Sequence, residues 1–144
     1  MDKAIADSVI RIPCKSLQSF FESYYSFLKP IHKLSNKETK LIATIARFRY
    51  EMSLKITDEA LLQQYLMSPG VKRKIREACG ISSQSFQVYM VNLRNNKVIV
   101  DNRINPKLIP NVQKDKNGYK LMLYFDFEKD GQGEIPSEDS KKDS

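Results

Sequence analysis

From Ser16 to Asn96 apolar residues recur every three or four positions, and beyond Lys97 they begin to alternate, so the pattern predicts helices followed by strands. SLQSFFESYYSFLKP reads as an aromatic-rich helix that starts near Ser16 and stops before Pro30, because the residue ahead of a proline disfavours helical backbone. Phe20, Tyr24, Phe27 and Leu28 share one face, with Leu17 above them and Phe21 and Tyr25 at the edge. The VIRIP stretch ahead of it has the make-up of a short edge strand. LSNKETKLIATIARFRYEMS opens on a capping box, Ser35 with Glu38 three residues on, and carries an apolar stripe of Leu41, Ile42, Ile45, Phe48 and Met52. Thr57 is the expected cap of DEALLQQYLM, with Leu61, Leu62, Tyr65 and Leu66 as its buried side. Ser68 and Pro69 then open PGVKRKIREAC, whose Val71, Ile75 and Ala78 face inward.

Gly80 ends that helix by admitting a left-handed residue, and Ser82 caps the next, SSQSFQVYMVNLRNN. Phe86, Tyr89, Met90 and Leu93 fall in one arc, while Gln84, Gln87, Val88, Val91, Asn92 and Asn95 project the other way. A helix, a tight glycine turn and a second helix have helix-turn-helix spacing. VIVDNRI is rich in strand formers, and NVQKDKNGYKLMLYFDF sets Asn117-Gly118 between two strand-like runs, with Leu121, Leu123, Phe125 and Phe127 on one face and Lys114 and Lys116 at the tip. The expected fold class is α+β: a winged helix-turn-helix with an added N-terminal aromatic helix and a C-terminal β-hairpin wing. Its expected divisions are 1–33 for the N-terminal strand and helix, 34–127 for the winged domain and 128–144 for a disordered acidic tail.

Charge gives this layout a direction. The chain of 144 residues has net charge +7, but residues 126–144 hold seven acids against three lysines, a net of −4, so the remainder carries +11. A compact body with that surplus attracts polyanions, of which phosphate backbones are the commonest. Hydrophobic content of 41% and charged content of 28% are those of a soluble globular chain, and no apolar run approaches the ~20 residues needed to span a bilayer. MDKAIADSVIRIP lacks the features of an export signal, which makes the host cytoplasm, or a virion if the chain is phage-encoded, the expected location. Cys14, Cys79 and His32 stand too far apart for a recognised metal-ligand spacing, so reduced thiols are expected and neither a metal nor a cofactor is. With one histidine, five glycines and no phosphate loop, nucleophile elbow or paired-carboxylate motif, an enzyme is not expected.

ISSQSFQVYMVNLRNNKVI resembles the recognition segment of winged helix-turn-helix regulators, and its spacing is similar to that of LuxR-type effector domains, as is the LSNKET start. Two features depart from the LuxR pattern: the helix from Pro69 to Cys79 is basic, and a hairpin replaces the helix that ends those domains. KRKIREACGISSQSF leading into LRNNKVI also resembles small uncharacterised proteins of tailed bacteriophages. The winged-helix resemblance implies double-stranded DNA binding, by a transcriptional regulator that reads the major groove with helix 83–96. Ser83, Gln84, Gln87, Val88, Val91 and Asn92 occupy the positions that would meet bases. Amides can pair with adenine and valines suit the thymine methyl, which favours an A·T-rich target.

Phosphate contacts are expected from Lys72, Arg73, Lys74 and Arg76 ahead of that helix, from Arg94, Lys97 and Arg103 after it, and from Lys114 and Lys116 on the wing. The outward face nonetheless carries two valines and no arginine before Arg94. The alternative is therefore a virion or assembly component that uses the same module against protein. A surface of Phe20, Phe21, Tyr24 and Tyr25 could serve self-association or a partner, or could dock on the body as core.

Overall fold

The structure, a computed structural model, describes residues 10–115 and 118–120. Among them the architecture is α+β: five helices and two small antiparallel hairpins. The helices are α1 (Leu17–His32), α2 (Asn36–Ser53), α3 (Glu59–Met67), α4 (Pro69–Cys79) and α5 (Ser83–Asn95). Strands β1 (Ile99–Val100) and β2 (Arg103–Ile104), a 3-10 turn at Pro106–Leu108, and strands β3 (Gln113–Asp115) and β4 (Gly118–Lys120) follow. The chain divides into two compact units after Pro110.

Short polar side chains set the helix starts. Ser16 and Ser19 form a capping box at α1, and Ser35 and Glu38 form the anticipated one at α2, where Ser35 Oγ accepts from the Glu38 amide at 3.1 Å and Glu38 Oε1 accepts from the Ser35 amide at 3.0 Å. Asp58, one residue past the expected Thr57, caps α3 by accepting from the amides of Ala60 and Leu61; an aspartate there also suits the positive end of the helix dipole. Ser68 and Pro69 open α4 as anticipated, but the Ser68 hydroxyl donates backward to the Tyr65 carbonyl.

α2 is the central element. Leu41, Ile42, Ala43, Thr44 and Ala46 are all buried, because α1, α3, α4 and α5 pack around it and small residues admit close neighbours. α1 lies along α2, with the Phe21 ring edge-on to Tyr50 at 6.1 Å between centroids and the Tyr25 hydroxyl donating to the Leu108 carbonyl at 3.0 Å. Burying aromatic side chains of this size contributes about 1.5–3 kcal/mol each.

Several expectations are corrected here. α1 runs on through Pro30 to His32: the proline forfeits one bond, to the Ser26 carbonyl, and the last turn is closed by the Lys33 and Leu34 amides donating to the Lys29 carbonyl. The buried face of α1 is Phe20, Phe21 and Tyr25, whereas Phe27 is exposed and Tyr24 is half-buried. Phe20, Phe21 and Tyr25 are thus core and not a free surface for a partner. Residues 10–13 form no strand; Leu61 and Ala78 are exposed, leaving Leu62 with Leu66 and Val71 with Ile75 as the inward pairs.

In the second unit the hairpin is where the alternation puts it, but its innermost pair is Asp115↔Gly118, so Gly118 belongs to the ladder and not to the turn. Lys116, the strand expected over 121–127 and the tail expected over 128–144 lie outside the described residues. Among the described residues no helix is long and apolar enough to cross a membrane.

A candidate nucleic-acid interface on α4 and α5

Backbone geometry between α4 and α5 is tightly specified. Gly80 is left-handed at φ 66°, its amide donates to the Glu77 carbonyl, and the Ile81 amide reaches back to the Arg76 carbonyl at 3.1 Å. These are the two bonds of a Schellman motif, and a left-handed residue is needed between them, which glycine supplies without strain. Ser82 then caps α5, its Oγ accepting from the Ser85 amide at 3.0 Å. The same ending recurs after α5, where Lys97 is left-handed at φ 65° and the Val98 amide donates to the Leu93 carbonyl. α5 therefore starts at a side-chain cap and stops at defined backbone bonds.

Its inner side is anchored by Phe86 and Leu93, both buried, with Tyr89 and Met90 half-buried. The guanidinium of Arg76 lies 5.9 Å from the centre of the Phe86 ring, a cation–π contact that joins α4 to α5 and holds this cation at their junction. On the outer side Ser83, Gln84, Gln87, Val88, Val91 and Asn95 are exposed, Val88 by 53% and Val91 by 45%.

Asn92 departs from this pattern. It is half-buried, and its Nδ2 donates to Glu38 Oε2 at 2.8 Å, while the other oxygen of that carboxylate closes the α2 capping box. Glu38 is itself buried. The amide expected to read bases thus satisfies a buried carboxylate and fixes how α5 sits on α2. Asn95, further along α5, is the exposed amide at that end; its place in the outward arc was the signal for it.

α4 carries the positive charge. Arg73 and Lys74 are exposed, Lys72 and Arg76 are half-buried, and none of the four is paired with a carboxylate among the described residues. Glu77 is the one acid on the helix. Arg94 and Lys97 are exposed beyond the middle of α5. Arg103 is otherwise engaged: Glu59 holds it at 3.6 Å and Arg49 at 2.9 Å, which ties α2, α3 and β2 together. Lys114 is exposed in the second unit.

Within the first unit a hairpin directly follows α5. β1 and β2 pair as Ile99↔Ile104 and Val100↔Arg103 around Asp101 and Asn102, whose φ values of 54° and 62° are those of a type I′ turn. Gln63 Nε2 donates to the Asn102 carbonyl at 2.6 Å and holds this turn against α3. The sequence signal was present, since aspartate and asparagine tolerate left-handed backbone better than most residues, but the turn lacks the usual glycine.

The groups with shifted pKa values are packing groups. Burial raises Tyr24 and raises Tyr25 far above the usual tyrosine value. Burial also raises the Cys79 thiol, which donates to Thr44 Oγ1 at 3.3 Å. Among the described residues no three histidine, cysteine, aspartate or glutamate side chains are grouped to hold a metal ion. Comparison with known proteins found no matching family model, no similar curated sequence and no matching solved structure.

Proposed function

We propose that the chain binds double-stranded DNA through α4 and α5 as a winged helix-turn-helix, placing α5 in the major groove in the manner of a transcriptional regulator. The observation that carries this reading is the juxtaposition of an α5 face made of amides and methyls with a neighbouring α4 whose four cations lack carboxylate partners among the described residues. Cations without carboxylate partners beside an exposed helix face are what a phosphate backbone requires, since phosphate contacts set register and supply most of the sequence-independent affinity. The β1–β2 hairpin, following α5 at once and pinned by Gln63, takes the wing's place in this reading, ahead of the later hairpin that the sequence suggested for it. The role is one of binding and not of catalysis.

A second reading rests on the exposure of Val88 and Val91: a protein neighbour, in a virion or another assembly, would also cover methyls. Salt separates the two. On a random duplex followed by fluorescence anisotropy, the logarithm of affinity should fall linearly with the logarithm of salt concentration. The joint change Lys72→Ala, Arg73→Ala, Lys74→Ala and Arg76→Ala should lower the slope by about 0.9 for each phosphate no longer neutralised. Salt-independent association, or none, would favour the assembly reading.

A further inference from the structure

The exposed residues of α5 fall into an ordered stripe. Gln84, Val88, Val91 and Asn95 follow one another at i, i+4, i+7 and i+11, the spacing that keeps residues on one side of a helix, and all four are exposed. This is the side opposite Phe86, the buried anchor. Along the axis the stripe is amide, methyl pair, methyl pair, amide. Gln87 flanks it on one side, and Asn92, on the other, is withdrawn by its bond to Glu38. Nothing charged interrupts it.

Exposed branched aliphatic side chains at the centre of a recognition surface need an apolar counterpart. In the major groove one base supplies it, since thymine carries a C5 methyl and cytosine does not. Val88 and Val91 are separated by three residues, about 4.5 Å along a helix, which is on the order of one base-pair rise of about 3.4 Å. Two valines can therefore meet the methyls of thymines on adjacent base pairs, while the flanking amides suit the N7 and N6 edge of adenine.

Resting on the DNA-binding reading above, we propose that Val88 and Val91 make α5 a reader of pyrimidine 5-methyl groups, so that the preferred target is a short thymine-containing step and the discriminating atom is the methyl carbon. Hydrogen-bond readout predicts no difference between thymine and uracil, whose donor and acceptor edges are the same. Methyl readout does.

The test uses the full chain and four duplexes of equal length: an A·T duplex, the same duplex with deoxyuridine in place of thymidine, a G·C duplex, and that duplex with 5-methylcytosine in place of cytosine. Affinity is expected to fall about fourfold for each valine-facing methyl removed on passing from thymine to uracil, and to rise on methylating cytosine. A double variant, Val88→Ser with Val91→Ser, should bind the thymine and uracil duplexes alike while keeping the salt dependence of the parent. Both positions are exposed, so circular dichroism should be unchanged, and the thymine-to-uracil ratio of the parent chain requires no variant at all. Equal, salt-dependent affinity of the parent for thymine and uracil duplexes overturns methyl readout and leaves DNA binding standing. Absence of salt-dependent binding to every duplex overturns both.

Discussion

α1 and α5 both carry more apolar surface than a solvent-facing helix needs, and the chain disposes of it in opposite ways. On α1 the aromatic face turns inward: Phe21 meets Tyr50, Tyr25 bonds the Leu108 carbonyl, and the helix is stitched to α2 by Gln18, whose Oε1 accepts from Arg47 Nε and whose Nε2 donates to Thr44. On α5 the aromatic Phe86 is buried, yet two valines stay outside beside amides. Phe27 and Ile31 of α1 also stay exposed, so exposure alone does not set α5 apart; what does is that its two valines stand in one stripe flanked by amides.

The contrast can be broken most severely on α1. Phe21→Ala should cost about 3–5 kcal/mol in urea unfolding, the range for emptying a buried aromatic site, whereas Val88→Ala and Val91→Ala should each stay within about 0.5 kcal/mol. A large loss at Val88 would mean that α5's outer face is covered.

Tyr25→Phe should cost about 1–3 kcal/mol, because the Leu108 carbonyl loses its donor in a buried place. This residue also has a pH signature. Its folded pKa lies above the unfolded value of 10.0, so the native state resists ionisation, and its contribution is complete below pH 10.0 and lost as pH rises beyond it. The slope of stability against pH there, about 1.4 kcal/mol per unit for one group, should shrink in Tyr25→Phe.

Asn92→Ala should likewise cost about 1–3 kcal/mol, by leaving Glu38 Oε2 unpaired in the interior. Thermal unfolding would check it, and a neutral result would return Asn92 to the group of surface amides. One change should be a gain: Lys97→Gly relieves a left-handed lysine and should add about 1 kcal/mol. If Lys97 also touches phosphate, the same change weakens DNA binding while it stabilises the fold.

What could be read from the sequence was local. Ser35 with Glu38, Ser68 with Pro69, and Gly80 with Ser82 are signals within a few residues of one another, and the structure places helix ends at each. Which residues of α1 turn inward could not be read the same way, because Phe20, Phe21, Tyr24 and Tyr25 spread over an arc of roughly 140° and only the docking of α2 selects among them. The Asn92 bond joins residues 54 apart in sequence, and the Glu59 ion pairs join three elements; neither leaves a mark in either segment alone. The turn at Asp101 and Asn102 was local but lacked the glycine that usually announces it.

Backbone amide chemical-shift mapping of the isotope-labelled chain, during titration with a short duplex at low salt, would locate the interface on α4 and α5 without altering any residue. Perturbed amides are expected to concentrate on Lys72–Arg76 and Ser83–Asn95 and to return toward their free positions as salt is added. Perturbations centred on Phe27 and Ile31 of α1, or spread evenly over the surface, would contradict DNA binding by this face.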